Sequence, residues 1–400
     1  MSGFDKPRSF EALIDSGFVP RSRGNTAPQF SEHIEQVLTG STIPDIYFQP
    51  IVDLRRGAVS GYEALARFPR ELNLAPDVIF QRAGRIGMRM ELEHLVCSLV
   101  LEKRTQLPTG CFLTMNLGPD FLLSDLWQQL LVSEPDLAGV VIEITEETSI
   151  SNYDEIRERS AQIRSRGGLV AVDDAGSGYA SLQHILELRP DFIKLNRSFV
   201  RDCHLDRAKS TMIEMMGAAA DRLDAWVIAE GVETAQELEE LVRIGVPLAQ
   251  GYLLARPEND MQALTEQVAN ELHRASRMNR QKTLEPHMTA CAMSVSIEAA
   301  NELLQQEMEH TVAVVLDRWK RPVRLIERHP LMGIRMVESF MRAQISSAPR
   351  QVLYRALSRP METRFDPMVI INNEGECVGM VTVDRLMSAV MTLENQRIGF

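Results

Sequence analysis

A chain of 400 residues, 44% hydrophobic and 24% charged, is long enough to bury the cores of two domains. Its 55 acidic and 43 basic residues give a formal net charge of −12, which argues against broad nucleic-acid binding, so no DNA partner is expected. An anionic substrate stays compatible with that charge if bound cations supply a local positive field.

Residues 1–42 hold Pro, Arg, Ser and Gly with only short apolar patches, and read as a linker or lightly packed arm. From 43 to 262, short apolar runs alternate with longer amphipathic stretches. The runs are 46–51, 59–66, 111–115, 140–144, 169–172, 192–195, 226–229 and a weaker 246–249. Helical patterns occupy 90–104, 153–166, 208–222 and 235–244, with Gly167-Gly168, Pro190 and Gly245 at the joints. This alternation predicts parallel pairing, and about eight strands suggest a TIM-type (β/α)8 barrel rather than an open sheet. The first two runs flank Arg55-Arg56-Gly57 and predict a hairpin, so one strand runs antiparallel to the rest.

Residues 263–285 are polar and helix-like, a connector to a smaller α+β domain over 286–400. There a helix (297–308) and strands (311–316, 323–326) are followed by a second helix (349–357) and strands (368–371, 378–381), with a closing helix from Asp384. The recurring helix, strand, turn and strand suggest an internal duplication. Cys97, Cys111, Cys203, Cys291 and Cys377 are scattered, odd in number and lack metal-type spacing; Cys111 and Cys377 read as small core hydrophobes. The absence of a disulfide framework suits a reducing cytoplasm, where the chain is expected to act. With no apolar signal core and no long apolar run, no membrane span is expected.

The barrel's apolar runs repeatedly end in an acid, amide or amine. Glu63 lies in the second run, Asn116 follows the third, Glu143 closes the fourth, and Asp173-Asp174 follow the fifth. Lys194 lies in the sixth run and Glu230 follows the seventh. The C-terminal strand ends of such a barrel form the mouth where chemistry occurs. One such acid alone is usually a helix cap, Asp173-Asp174 before Gly176 could be merely a turn, and Lys194 could snorkel to the surface. Recurrence on six strands points instead to one pocket. Carboxylates gathered there would repel unless cations sat among them, and oxygen ligation favours Mg2+ or Mn2+. Two such ions, roughly 3.5–4 Å apart, can clamp a phosphodiester for in-line displacement. Neighbouring Asp173 and Asp174 cannot point the same way in a regular strand, so the pair needs a strand end or turn.

These residues resemble the EAL-domain cyclic di-GMP phosphodiesterases, over about residues 45–257. Tyr47-Phe48-Gln49-Pro50-Ile51-Val52 resembles the family's opening strand, and Glu63-Ala64-Leu65 is its name-giving motif, followed by Arg67. Glu143-Ile144-Thr145-Glu146, Asp173-Asp174-Ala175-Gly176-Ser177-Gly178, Glu230-Gly231-Val232-Glu233 and Gln250-Gly251-Tyr252 match later elements in order. A lone Glu-Ala-Leu says nothing: Glu11-Ala12-Leu13 matches too, in the arm. The resemblance implies that Glu63, Asn116, Glu143 and Asp173 bind one metal, and Asp173, Asp174 and Glu230 the second. It implies that Lys194 orients the attacking water, that Gln250 assists at the water or substrate, and that Glu146 anchors the loop 175–182. Gln49, Leu65, Arg67, Asp191 and Glu233 are its implied substrate contacts. The implied product of cyclic di-GMP hydrolysis is linear pGpG, and a homodimer is implied as well.

Three positions depart from the family pattern. Ala175 replaces a Phe, Asn196 an Asp near Lys194, and Pro247 an Asp often found three residues before Gln250. They lower activity or make it conditional, or they mark a receptor that binds cyclic di-GMP and signals through a protein partner. The segments 312–316, 321–326 and 368–382 resemble CBS half-motifs, which implies a regulatory module taking an adenine nucleotide or a packing module with none.

Overall fold

Eight apolar runs become the strands of a closed barrel in the computed structural model, which describes residues 28–69, 74–144, 152–175, 179–277, 283–306, 309–329, 333–337, 340–345, 347–372 and 375–398. In chain order the strands are β1 (Asp45–Asp53), β2 (Ala58–Arg67), β3 (Phe112–Leu117), β4 (Val140–Ile144), β5 (Leu169–Ala175), β6 (Phe192–Leu195), β7 (Trp226–Ala229) and β8 (Leu248–Ala249). Each is hydrogen-bonded to the next, and β1 meets β8 antiparallel with Val52 opposite Ala249. The pairs β2–β3, β3–β4, β4–β5, β6–β7 and β7–β8 are parallel, so β1 is the reversed strand.

Strands β4, β6 and β7 are buried at every position. Their largely apolar runs follow from that: one face meets the barrel interior and the other meets a helix, and the charged members, Glu143 and Lys194, are buried as well. The close approach of β2 to β3 depends on Gly61. A Cβ there would lie 2.5 Å from ring carbons of Phe112, itself fully buried. Gly61→Ala is expected to cost about 1–3 kcal/mol through overpacking, read as a lower urea midpoint at unchanged slope.

One sequence expectation is corrected at the N-terminus. Pro28–Leu38, read as part of a loose arm, is a helix whose Phe30, Ile34, Val37 and Leu38 are buried. Those four positions recur at helical spacing and form an apolar stripe, which outweighs the polar residues between them. The remainder of the arm, with Glu11-Ala12-Leu13, lies outside the described residues.

Close packing divides the chain into two units: 1–51 with 59–190 and 250–264, and 52–58 with 191–249 and 265–400. Within the second, the C-terminal residues form two small sheets. β9 (Ala292–Ser294), β10 (Val312–Leu316), β11 (Pro322–His329) and β12 (Gly333–Val337) lie in the order β12-β11-β10-β9. β13 (Arg342–Gln344), β14 (Met368–Ile371) and β15 (Cys377–Val381) lie in the order β13-β14-β15. In each sheet a helix, Ile297–Gln306 or Pro349–Leu357, joins a three-residue strand to a parallel partner, which then pairs antiparallel with the next strand. The repeat is therefore strand–helix–strand–strand, one strand longer than the sequence pattern. Val312, Val314 and Leu325 of one sheet share a core with Val369, Ile371 and Met380 of the other. Cys377 packs into that core, whereas Cys111 is half-buried and its thiol faces the Val59 carbonyl. Among the described residues, no helix is long and apolar enough to cross a membrane.

Candidate active site

Every second side chain of a strand faces the same way, so strand register decides which groups meet. Glu63 on β2 stands opposite Thr114 on β3, and Asn116, two residues on, stands opposite Glu143 on β4. Asn116 Nδ2 donates to Glu63 Oε1 at 3.1 Å, and Gln250 Nε2, just after β8, donates to Glu63 Oε2 at 2.7 Å. Both oxygens of this buried carboxylate are thereby held in place. Glu143, opposite Asn116 in the register, is fully buried.

Asp173 and Asp174 end β5, and Asp174 adopts a φ of 52°. Aspartate tolerates that left-handed geometry because its short carboxylate can bond locally; here the Asp174 N–H donates to Asp173 Oδ1 at 3.0 Å. The turn brings the neighbouring carboxylates to one side. Asp173, Asp174 and Glu230 each present an oxygen, all within 4.8 Å of one another. Three carboxylates this close repel unless a cation offsets them, and an all-oxygen donor set fits a hard divalent ion.

Lys194 on β6 is opposite Ile228, and Glu230 lies two residues further along the same side. Its Nζ is 2.8 Å from Glu230 Oε1, with the lysine side chain 1% exposed. A buried ammonium persists only when paired, so Glu230 serves both the lysine and the carboxylate cluster. The segment after Glu230 is closely packed. Gly231 has φ 67°, and a Cβ there would come within 2.5 Å of the Arg197 side chain, which pairs with Glu233 at 2.7 Å. Burial alone would raise the Glu237 carboxyl. Backbone N–H groups of Asp202, Glu233 and Thr234 outweigh it and hold the carboxyl below its ordinary value.

A cavity of about 290 Å³ is lined by Leu65, Arg67, Asn116, Asp173 and Asp174. The Arg67 guanidinium sits 5.5 Å from the Tyr47 ring centroid. Arg89 and Glu93, absent from the sequence reading, also line it as a 2.6 Å ion pair, and Glu93 accepts the Gly118 N–H. An Arg–Glu pair four residues apart, within a helix (Arg89–Lys103) that buries nearly all its later residues, is the signal that could have found them.

Several expected positions fall elsewhere. Asp191 precedes β6, its carbonyl accepting the Trp226 N–H, which puts it about 10 Å back along the strand from Lys194. Asn196 occupies the strand end instead and caps the helix Arg197–Val200, accepting the Ser198 N–H at 2.7 Å. Gln49 does not line the cavity; its amide donates to the Ala255 carbonyl at 3.2 Å. Pro247 lies before β8, where it accepts the Leu54 N–H, and Ala175 is fully buried. Glu146 and residues 176–178 lie outside the described residues.

The sequence pattern of the EAL domain matches residues 41–257, more than half of the chain. The chain belongs to the EAL-domain family. This EAL protein is 32% identical over 229 residues to the cyclic di-GMP phosphodiesterase RocR of Pseudomonas aeruginosa, covering 53% of this chain and 57% of that protein. It is 30% identical over 241 residues to the cyclic di-GMP phosphodiesterase NbdA of the same species, covering 57% and 30%. With the probable cyclic di-GMP phosphodiesterase PdeD of Escherichia coli the identity is 29% over 222 residues, covering 53% and 41%. The chain thus spans between 30% and 57% of the length of these relatives. The FimX EAL domain from Xanthomonas citri, solved with c-diGMP, shares the fold at a TM-score of 0.52 and 20% identity, covering 58% and 95%. The PaMucR phosphodiesterase, in a c-di-GMP complex, does so at 0.51 and 24%, covering 57% and 97%.

Proposed function

We propose that this EAL-domain protein hydrolyses cyclic di-GMP to linear pGpG, using two divalent metal ions, under the control of a C-terminal CBS-like module. The observation that carries the reading is the convergence of Asp173, Asp174 and Glu230 within 4.8 Å, with Lys194 paired to Glu230. Glu63, Asn116, Glu143 and Asp173 would hold one Mg2+ or Mn2+; Asp173, Asp174 and Glu230 would hold the other. When bound, the ions supply Lewis-acid polarisation of the phosphodiester and a more acidic water.

The chain's own groups do the positioning. Asn116 and Gln250 hold the two oxygens of Glu63. Lys194, fixed by Glu230, offers N–H donors that orient water for attack opposite the 3′ oxygen, whose bond to phosphorus then breaks. Arg67, at the rim beside Leu65, meets a phosphate of the substrate. Glu233 is at the exposed rim with Arg197. The paired C-terminal halves suit an adenine nucleotide or contact with a second copy of the chain, as a cytoplasmic homodimer.

The test is incubation of the purified protein with cyclic di-GMP and Mg2+ or Mn2+, with an EDTA control and chromatographic separation of products. Metal-dependent pGpG is expected. Failure both to bind and to cleave would overturn the proposal. A receptor that binds without turnover is the second reading, favoured by Asn196, which caps a helix where a carboxylate would sit near Lys194. Tight binding with no product would select it.

A further inference from the structure

Within the second unit, a cavity of about 250 Å³ lies by the N-terminal ends of β7 and β8, away from the strand ends that carry Glu230 and Gln250. Val227 of β7 forms part of its wall, Gly217 and Asp221 come from the helix Arg207–Arg222, Gln344 and Gln351 from the C-terminal sheets and helix, and Arg55 from the β1–β2 turn. Nothing in the proposed reaction uses these groups.

The cavity carries independent marks of a ligand site. Arg55 Nη1 donates to the Ile345 carbonyl at 3.3 Å, while its buried Nε has no partner among the described residues. A buried donor left without an acceptor is destabilising, and an acceptor in the cavity would remove that cost. Gly217 stands mid-helix, where glycine is less favourable than alanine. A Cβ at that position meets nothing within 4 Å, so no close packing requires the glycine. Its effect is to keep the wall open.

The surrounding bonds connect the cavity to the barrel. Gln344 donates to the Ala225 carbonyl at the foot of β7, and Ser347 Oγ is 3.0 Å from Asp221 Oδ1. Arg355 pairs with Asp224 at 3.0 Å. The C-terminal residues thus grip the base of the strand whose far end leads into Glu230. The chemistry of the lining narrows the ligand. Arg243 is already engaged by Glu240 through two bonds of 2.6 and 2.7 Å, which leaves Arg55 as the cation with a donor to give. In the same lining, Ile213 and Val242 offer apolar surface.

We propose that this cavity is an effector site for a small monoanionic metabolite with an apolar body, of the aromatic or branched carboxylate class. Its carboxylate accepts from Arg55 and its body lies against Gly217 and Val227. Occupancy bears on the foot of β7 and so on the placement of Glu230. The effector role rests on the hydrolase reading; the binding does not.

The probe is 4-fluorobenzoate, followed by fluorine NMR line broadening on the full chain. Broadening is expected with the wild type. Arg55→Gln should bind about tenfold or more weakly, the loss of a charged hydrogen bond. Gly217→Leu, which fills the cavity at a position where leucine favours helix, should abolish broadening, while the folding control Gly217→Ala keeps it. A silent wild type, or equal broadening with Gly217→Leu and Arg55→Gln, overturns the site. Turnover of cyclic di-GMP is read in parallel: the probe should change it in the wild type and leave Gly217→Leu unaffected, and unchanged wild-type turnover overturns the effector role. Probe binding in a protein that never makes pGpG leaves the site standing and sinks the hydrolase reading alone.

Discussion

Glu63→Ala is expected to lower the rate of cyclic di-GMP hydrolysis by at least about 10²–10³-fold, the usual loss for one preorganised electrostatic group. Glu63 is the meeting point of three barrel segments. Its Oε1 receives Asn116 and its Oε2 receives Gln250, and the side chain is only 7% exposed, so the carboxylate has little freedom to adjust. Removing it takes away a negative charge next to the proposed metal site and leaves two amides without their acceptor. Glu63→Gln keeps the shape but loses the charge, and its amide nitrogen would face the Asn116 or Gln250 amide. It should therefore fall nearly as far as the alanine variant. Both variants are to be checked by circular dichroism, then compared in initial rates over a range of Mn2+ concentrations. Rates equal to the parent would remove Glu63 from the site.

The second large effect is expected at Lys194. Lys194→Met preserves most of the aliphatic volume and deletes the ammonium that sits 2.8 Å from Glu230. Loss of a positioned proton-handling group typically costs about 10²–10⁴-fold, and that range is expected in kcat with KM little changed. A stability effect should accompany it. Breaking a buried ion pair leaves an uncompensated charge at a cost of about 3–5 kcal/mol. In this case Glu230, whose side chain is 16% exposed, would be left facing Asp173 and Asp174 without its cation. The variant should therefore melt at lower temperature than the parent in EDTA, and added Mg2+ or Mn2+ should recover more for the variant than for the parent. An unchanged kcat would exclude Lys194 from the reaction. An unchanged melting temperature in EDTA would mean that Glu230 finds another partner when the lysine is gone.

The parts of this protein that could be read from the chain are those written locally. Residues 140–144, 192–195 and 226–229 are apolar apart from Glu143 and Lys194 because each strand is covered on both faces, and burial on both sides disfavours any polar group without a partner. The acids and amides at strand ends were legible for a related reason: in a parallel barrel, sequence position along a strand converts directly into height toward the mouth. The same rule, applied residue by residue, sets Asp191 just before β6 and Asn196 just after it.

Other features arise from contacts between distant residues and leave little local trace. β9 and β13 are three residues long, so neither length nor alternation marks them; their parallel partners β10 and β14, each beyond an intervening helix, do. The pair Arg89 and Glu93 reads as an ordinary helical salt bridge until the helix places it against Gly118 and the cavity. The left-handed turn at Asp174 was required in principle by two adjacent acids, but its convergence with Glu230 depends on how β5 and β7 sit in the closed barrel. The sequence by itself determined the strand-and-helix alternation, the reversed first strand and the types of group available for metal chemistry, because burial and periodicity act over a few residues. Only the tertiary structure decided which oxygens meet, which amides hold Glu63 and where the cavity beneath β7 lies, because those depend on contacts between residues 187 positions apart at Glu63 and 290 apart at the cavity.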